Sequence, residues 1–403
     1  MRASRRLPAT VVALGFVSFL TDFSSEMIYP LLPVFLVQVL GAGAIALGTI
    51  EGVAEATAAL LKVVSGWWTD RLPRRKPLVI AGYGLSGAAR PIIGAAMAWP
   101  VVVILRFADR IGKGIRTSPR DALIADVTRP SQRGAAYGLH RAMDHAGAVV
   151  GPLVAGGLLL LPGFTLRRVF FLAAIPAALA MIVLSTSVRE PNRVDAPSAK
   201  PISIFGQWHE LGTDFRRLLL VVLIFALGNS TDAFLLLRLT DAGIAAGWVA
   251  VLWSFHHVVK AAATYVGGSL SDRVGRKPLI AAGWGVYGAT YLGFALVSES
   301  AGLIALFLAY GLYFDLTEPV ERAWVAGLAP GRLRGTAFGL YHGTVGIAAL
   351  PASLLFGAVY AVVGPAAAFG TGAGLALVAT VLLVRLPERR PTAASVDRHE
   401  ERH

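Results

Sequence analysis

The chain has 403 residues, of which 55% are hydrophobic and 15% charged, and its mean hydropathy is +0.64. These values exclude an ordinary soluble domain and predict an integral membrane protein. The absence of cysteine excludes disulfides, thiolate metal ligands and thiol redox chemistry. The net charge of +13 would suggest a nucleic-acid partner in a soluble protein, whereas here it is expected on loops beside a bilayer.

Apolar runs close to the ~20 residues that a helix needs to cross the hydrocarbon core recur along the chain. They predict twelve spans. The first six are expected at residues 11–38, 45–68, 78–98, 100–124, 136–161 and 166–187. The second six are expected at residues 217–239, 247–270, 279–298, 301–325, 336–360 and 365–386.

Arginine and lysine collect in the loops and tails on one face of the predicted membrane. The positive-inside rule makes this face cytoplasmic and puts both termini on it, as expected for a multi-pass protein of the bacterial inner membrane. The exceptions on the opposite face are Arg167 and Arg168. The basic residues that follow the rule include Arg2, Arg5, Arg6, Arg71, Arg74, Arg75, Lys76, Arg120, Arg129, Arg133, Arg273, Arg276, Lys277, Arg332, Arg334, Arg389 and Arg390.

An internal repeat relates the two sets of spans. A parallel repeat of this kind is the architecture in which two bundles rock about a central site. The matching segments are 70–77 with 272–278, 133–139 with 334–340, and Thr21-Asp22 with Thr231-Asp232. The expected domains are an N-terminal six-helix bundle at 1–187, a cytoplasmic linker at 188–215, a C-terminal six-helix bundle at 216–388 and a cytoplasmic tail at 389–403.

Several of these segments resemble signatures of the major facilitator superfamily. Residues 66–71 and 268–278 resemble its loop after the second and eighth helices, and residues 106–114 resemble the fourth-helix arginine motif of proton-coupled members. In the latter, Asp109 and Arg110 stand where Gln and Gly are usual. The small residues of 138–157 resemble the fifth-helix signature of the exporter branch.

The resemblance implies an all-α membrane protein with twelve transmembrane helices in two pseudo-symmetric six-helix bundles. It implies a transporter, not an enzyme, that acts as a monomer on a small molecule without a cofactor. Protons and the lipid bilayer are its other expected partners, and nucleic acid is not one.

The repeated loops are expected to form a cytoplasmic gate. Asp70 and Asp272 would close helices there, and the basic cluster behind each would pair with a neighbouring helix end and latch the outward-facing state. The alternative is a topology signal alone. The predicted gate residues are Gly66, Asp70, Arg71, Gly268, Asp272, Arg273, Gly275, Arg276 and Lys277.

The small residues of the fifth span predict a tight, bendable seam against the eighth span. Each interior Gly costs a helix about 1 kcal/mol relative to Ala, but small residues let membrane helices approach closely. The alternative is a generic packing face. The predicted seam residues are Gly138, Gly147, Gly151, Pro152 and Gly156.

Ionisable residues inside spans are costly, so each is a functional candidate. One interpretation is a set of interhelical ion pairs, with the cytoplasmic end of the fourth span, including Arg116, exposed to water. A second is proton coupling through Asp22 and Glu26 beside Arg106, because a low dielectric favours the neutral carboxylic acid. A third is a substrate cavity that holds an anionic or a cationic solute. Its predicted residues are Tyr29, Glu51, Glu55, Asp109, Arg110, Lys113, Arg141, Asp144, His256, His257, Lys260, Asp315 and Glu318.

These patterns predict a secondary active transporter that exports a small molecule in exchange for protons by alternating access. No Walker loop appears, so ATP coupling is not expected. The alternatives are an organic-anion importer or facilitator, a receptor that has lost transport, and a divalent metal exporter. The last would use histidines with Asp22 or Glu26, although a resident metal is not expected. The histidines concerned are His140, His145, His256, His257 and His342.

Overall fold

The computed structural model describes residues 7–69, 74–129, 132–190, 210–328 and 333–386, and the regular elements within these ranges are all helical. Nine helical segments in them are long and apolar enough to cross a membrane. An all-helical chain is what a bilayer requires, because a helix satisfies its backbone hydrogen bonds within one segment.

The first half contains helices α1 to α6. Helix α1 is continued to Val39 by short turns of changing pitch, since Pro30 and Pro33 lack the N–H that a regular helix needs. Helix α6 has two pieces. The bounds are Ala9–Glu26 for α1, Ala44–Thr69 for α2, Lys76–Ile92 for α3, Trp99–Val127 for α4, Arg133–Leu159 for α5, and Leu166–Leu172 with Ala174–Ser187 for α6.

The second half contains helices α7 to α12. Helix α7 is broken at Asn229–Asp232 into two pieces, where the sequence predicted one uninterrupted span. The bounds are Thr213–Gly228 with Ala233–Asp241 for α7, Ala246–Val274 for α8, Arg276–Leu296 for α9, Ser300–Leu328 for α10, Arg334–Val362 for α11 and Pro365–Arg385 for α12.

Helices therefore occupy the positions of all twelve predicted spans. Three of them, α4, α8 and α10, fall outside the set of nine apolar segments found in the described residues. In α4 the reason is its charge, which runs from Arg106 to Asp126. That these three also cross the bilayer remains a prediction.

The two halves meet where α2 lies against α11 and α5 lies against α8. A Cβ added at Gly357 would be 2.7 Å from the carbonyl oxygen of Ala44, and one added at Gly156 would be 2.6 Å from that of Gly247. Both separations are shorter than van der Waals contact, so the helix backbones touch. These close approaches lie at the end of the molecule where α2 and α8 begin.

The small residues of α5 face two different helices, which corrects the predicted seam. Gly147 and Gly151 pack on α1, where a Cβ added at Gly151 would lie 2.5 Å from the carbonyl oxygen of Phe23. Only Gly156 approaches α8 in this way, and a Cβ added at Gly138 would meet nothing within 4 Å. The seam between α5 and α8 is therefore shorter than expected, and its larger part joins α5 to α1. Pro152 lies inside α5 between the two contacts.

Candidate functional site

A cavity of about 550 Å³ lies between the two halves. This volume is within the usual range for sites that bind small molecules. Helices α1 to α5 line it from one half, and α7, α8 and α11 line it from the other. It lies toward the ends where α5 begins and α8 finishes, away from the close backbone approaches at Gly357 and Gly156.

Eight of the predicted substrate-cavity residues line this cavity, together with Asp22 and Glu26. The eight are Tyr29, Glu55, Arg110, Lys113, Arg141, Asp144, His257 and Lys260. The sequence analysis did not select several further polar lining residues, which include Arg90, Arg116, Asn229, Ser230 and Asp232. The repeat of Thr21-Asp22 in Thr231-Asp232 was the available signal for Asp232, because pseudo-symmetric positions face one central site.

Arg106 does not pair with Asp22 or Glu26, which corrects the predicted coupling group. It donates to Glu51 through Nε at 3.0 Å and through Nη2 at 2.8 and 2.9 Å, and its Nη1 lies 3.4 Å from Asp109 Oδ2. Arg90 in turn donates to Asp109 Oδ1 at 2.8 Å. All four side chains are buried, with exposed fractions between 0% and 4%.

Two residues predicted to line the cavity belong instead to this buried group of charges. Glu51 and Asp109 were expected to face the substrate, but they are absent from the cavity lining and pack between α2, α3 and α4. The physical reason is that a charge in a low dielectric needs a partner of opposite sign, and the stripe on α4 finds its partners on the adjacent helices. Arg116 was expected in water and is also buried, with 4% of its surface exposed.

Asp22 and Glu26 both line the cavity but differ in their partners. Glu26 Oε2 accepts a hydrogen bond of 2.8 Å from Nε1 of Trp253 on α8, so this bond joins the two halves. Among the described residues, Asp22 has no hydrogen-bond or ion-pair partner. A second link between the halves joins the hydroxyls of Tyr29 and Thr231 at 3.4 Å.

His256 packs in the core and does not line the cavity, which corrects another predicted position. It is fully buried, its ring lies 5.3 Å from that of Trp253, and its Nδ1 is 3.2 Å from the carbonyl oxygen of Phe307. Within the described part of the chain, no group of three or more His, Asp or Glu side chains could hold a metal ion. The side chains of Asp315 and Glu318 lie outside the described residues.

Asp144 belongs to a polar cluster at the cavity wall. Its carboxylate accepts a hydrogen bond from Ser18 and lies 3.5 Å from Nδ1 of His140 and 3.9 Å from Nη1 of Arg141. Since Ser18 is on α1, the cluster joins α1 to α5. Ser18 lies one helical turn before the cavity-lining residue Asp22.

The break in α7 is held by tyrosine hydroxyl groups. Each of the five consecutive residues from 228 to 232 has one such partner within hydrogen-bonding distance. One of these bonds satisfies the backbone carbonyl of Gly228, and the other four satisfy polar side chains, as membrane interiors require. The pairs are Gly228 O with Tyr287 at 2.8 Å, Asn229 with Tyr313 at 3.0 Å, Ser230 with Tyr291 at 3.2 Å, Thr231 with Tyr29 at 3.4 Å and Asp232 Oδ1 with Tyr310 at 2.8 Å.

Only part of the predicted gate falls within the described side chains. Asp70 and Arg71 lie outside the described residues, as do the side chains of Asp272 and Arg273 and the surroundings of Gly66 and Gly268. Gly275 has a φ of +93° immediately before α9, a conformation that favours glycine.

Repeat-related basic residues bind helix ends. Lys277 Nζ donates to the carbonyl oxygen of Leu386 at 2.6 Å, and its counterpart Lys76 donates to that of Val188 at 2.7 Å. Each of these carbonyls follows the last helix of its half. Arg75 pairs with Asp126 at the end of α4, and its counterpart Arg276 lies against the end of α10.

Comparison with known proteins agrees with the resemblance seen in the sequence. The sequence model of the Major Facilitator Superfamily matches residues 14–245 and, in a second match, 218–403. An uncharacterised MFS-type transporter of Methanocaldococcus jannaschii is 33% identical over 386 residues, which cover 94% of this chain and 95% of that protein. The multidrug resistance protein MdtH of Photorhabdus laumondii is 30% identical over 157 residues, or 38% of this chain and 39% of that protein.

Solved structures share the fold at low sequence identity. The nucleoside transporter NupG has a TM-score of 0.81 at 12% identity, with 94% of this chain and 100% of that chain covered. A POT family transporter in complex with 5-aminolevulinic acid has a TM-score of 0.78 at 14% identity, with 95% of this chain and 97% of that chain covered.

Proposed function

Because the chain belongs to the major facilitator superfamily, a family of secondary transporters, we propose that it exports a small polar molecule in exchange for protons. The observation that carries the proposal is the cavity between the halves, whose wall includes Asp22 and Glu26. The partial similarity to MdtH and the exporter-like residues of α5 support efflux as the direction. The positive-inside distribution supports the inner membrane, with both termini in the cytoplasm.

Alternating access requires contacts that close one end of the cavity and break when the other end opens. The close approaches of Gly357 to Ala44 and of Gly156 to Gly247 close the end opposite the cavity. By the positive-inside assignment the closed end is periplasmic, so this conformation is inward-facing. The residues proposed for the cytoplasmic gate, around Asp70 and Asp272, would close the other end.

Proton coupling is proposed to act through Asp22 and Glu26. Trp253, and not Arg106, is the partner whose hydrogen bond changes when Glu26 is protonated. The Trp253 bond to Glu26 is strongest while the carboxylate is ionised, since charged hydrogen bonds are about twice as strong as neutral ones. Protonation of Glu26 weakens this link between the halves and favours their separation at the closed end. The change in charge is thereby converted into a change in conformation.

The alternative function, import of an organic anion, would depend on the basic stripe of α4. Two residues of this stripe are neutralised by partners on α2. Arg106 pairs with Glu51, and Nη2 of Arg110 lies 3.2 Å from Glu55 Oε1. The cavity therefore carries both signs of charge, which favours a polar solute over a simple anion.

Everted membrane vesicles from a bacterial host that produces the protein test the proposal. Respiration acidifies the vesicle interior, and a pH-sensitive dye then reports proton release when amines, organic anions and zwitterions are added in turn. A transported solute should release protons with the wild type. The double variant Asp22→Asn, Glu26→Gln should lose this release, whereas Asp121→Asn, a carboxylate on α4 outside the cavity lining, should keep it.

The coupling proposal fails if the double variant accumulates a transported solute against its gradient as well as the wild type does. The efflux proposal fails if an imposed pH gradient drives the solute in the direction of proton entry. Counterflow of the same solute without a gradient serves as the measure of intact transport.

A further inference from the structure

Both halves contribute charges of both signs to the cavity wall, and each half has a charged group with hydrogen-bonding capacity that no described residue uses. On the second half, Asp232 lies in the break of α7 and its Oδ1 accepts a hydrogen bond from Tyr310. No hydrogen bond is found between its second oxygen and a described side chain, and Lys260 is a cationic neighbour in the same lining. The hydroxyl groups of Ser230 and Thr231 lie beside it in the same lining.

On the first half, Arg116 of α4 supplies the complementary group. Its side chain lines the cavity with 4% of its surface exposed, and its Nε and Nη1 have no hydrogen-bond partner. The guanidinium carbon lies 4.2 Å from the centre of the Tyr83 ring, which fixes its position. A buried guanidinium with unsatisfied donors carries a positive charge that a carboxylate would stabilise.

We propose that this cavity binds a small zwitterionic solute, with its ammonium group at Asp232 and its carboxylate at Arg116. Arg110, one turn and a half away on α4, lines the same wall and adds positive charge beside the carboxylate end. Since α4 and α7 belong to different halves, the bound solute connects them. The zwitterion site rests on the proposed transport function, because it assigns the substrate class of the same cavity.

A solute with only one charge fits this wall less well. An anion without an ammonium group would leave Asp232 without a cationic group of the solute and would be repelled by this carboxylate and by Asp22. A cation without a carboxylate would face Arg110 and Arg116. Mismatched charge of this kind is how a site rejects the wrong ligand.

The lining also limits the uncharged part of the solute. Its apolar contribution consists largely of short residues, so the lining offers little apolar surface to a large hydrophobic group. The short residues are Ala59, Ala148, Ala226, Gly346 and Ala349.

A matched set of three probes tests the charge requirement. Alanyl-alanine carries both charges, its N-acetyl derivative carries only the carboxylate, and its methyl ester carries only the ammonium group. Binding to the purified full-length protein is measured as thermal stabilisation in detergent, and transport as counterflow in proteoliposomes. The wild type should be stabilised by the dipeptide at concentrations at least about tenfold lower than by either derivative.

Two variants test which residue binds each charged end of the solute. Asp232→Asn should weaken dipeptide binding about tenfold or more and leave the N-acetyl derivative unaffected or improved, because the ammonium partner alone is lost. Arg116→Gln should weaken the dipeptide and leave the methyl ester unaffected or improved. This change of preference separates a binding role from a purely structural one, which would weaken all three probes together.

Asp121→Asn serves as the control and should retain the wild-type order of the three probes. Equal binding of the dipeptide and its N-acetyl derivative to the wild type would refute the ammonium site, and equal binding of the methyl ester would refute the carboxylate site. If none of the three binds, the assignment to compact zwitterions of this kind is wrong.

The two proposals fail separately. Zwitterion counterflow that does not respond to a pH gradient would overturn proton coupling and leave the binding site standing. Proton-coupled transport of a singly charged solute, with no binding of the dipeptide, would overturn the zwitterion site and leave the transport function standing.

Discussion

Removal of the Arg106 guanidinium tests whether this residue is structural or part of proton coupling. In the variant Arg106→Met, Glu51 keeps its charge but loses three hydrogen bonds of 2.8 to 3.0 Å, while its side chain remains fully buried. Loss of one partner of a buried ion pair typically costs about 3–5 kcal/mol, because the remaining charge is left uncompensated. We therefore expect a large fall in stability.

The loss of stability in Arg106→Met should come from the unpaired charge of Glu51 and not from the absence of Arg106 itself. In the double variant Arg106→Met, Glu51→Met both charges are gone, and similar replacements of buried ion pairs by apolar residues are often neutral or stabilising. Asp109 still has Arg90 as a partner at 2.8 Å. The double variant should therefore recover most of the stability that the single variant loses.

The assay is the midpoint of thermal unfolding in detergent for the two single variants and the double variant, which form a double-mutant cycle. Arg141→Met is the matched control, because the Arg141 side chain is 63% exposed and its Nη1 lies 3.9 Å from Asp144. Exposed pairs contribute about 0–1 kcal/mol, so the control should unfold close to the wild type.

Two results would refute this reasoning. An unfolding midpoint for Arg106→Met equal to that of Arg141→Met would show that the buried pair does not stabilise the fold. A double variant that folds normally but has lost proton release would show that Arg106 or Glu51 acts in coupling, as the sequence alone had suggested for Arg106.

Three further outcomes follow from contacts between helices. Gly147→Val should lower the unfolding midpoint, because its Cβ would meet the backbone of α1, whereas Gly138→Val has open space and should cause at most a small change. Trp253→Phe removes the hydrogen bond to the α1 carboxylate, so solute counterflow should persist while fewer protons are released per solute; Trp248→Phe, at a 54% exposed position, should match the wild type in both assays. Lys277→Met removes the donor to the carbonyl after α12 and should speed proteolysis of the C-terminal segment.

Periodicity and motif spacing predicted the helices of this chain well. Long apolar runs specify a membrane helix locally, since every backbone hydrogen bond closes within the segment. The positions of α2, α5 and α11 therefore followed from the sequence. The break in α7 was not predicted, although Gly228 and the helix-capping residues at Asn229–Asp232 are a signal for it. The tyrosine partners of these residues, which come from α9, α10 and the other half, could be found only in the tertiary structure.

The partners of the charges could not be predicted in the same way. Spacing placed Arg106, Asp109 and Arg110 on one stripe of α4, but a stripe about 120° wide faces several neighbouring helices. Whether Arg106 meets Glu26 or Glu51 depends on how α1, α2 and α4 are arranged around it. That arrangement put Glu51 and Asp109 into a buried ion group and left Asp22 on the cavity wall.

By itself, the sequence determined the class of protein, the positions of its helices and its family, because hydropathy and motif spacing act over short distances along the chain. Only the tertiary structure decided which charges neutralise one another and which face the cavity, because ionic contacts join residues that are far apart in the sequence. The pair Asp22 and Asp232 depends on both the sequence and the tertiary structure. The repeat in the sequence relates them, and the packing of the two halves brings them to one cavity.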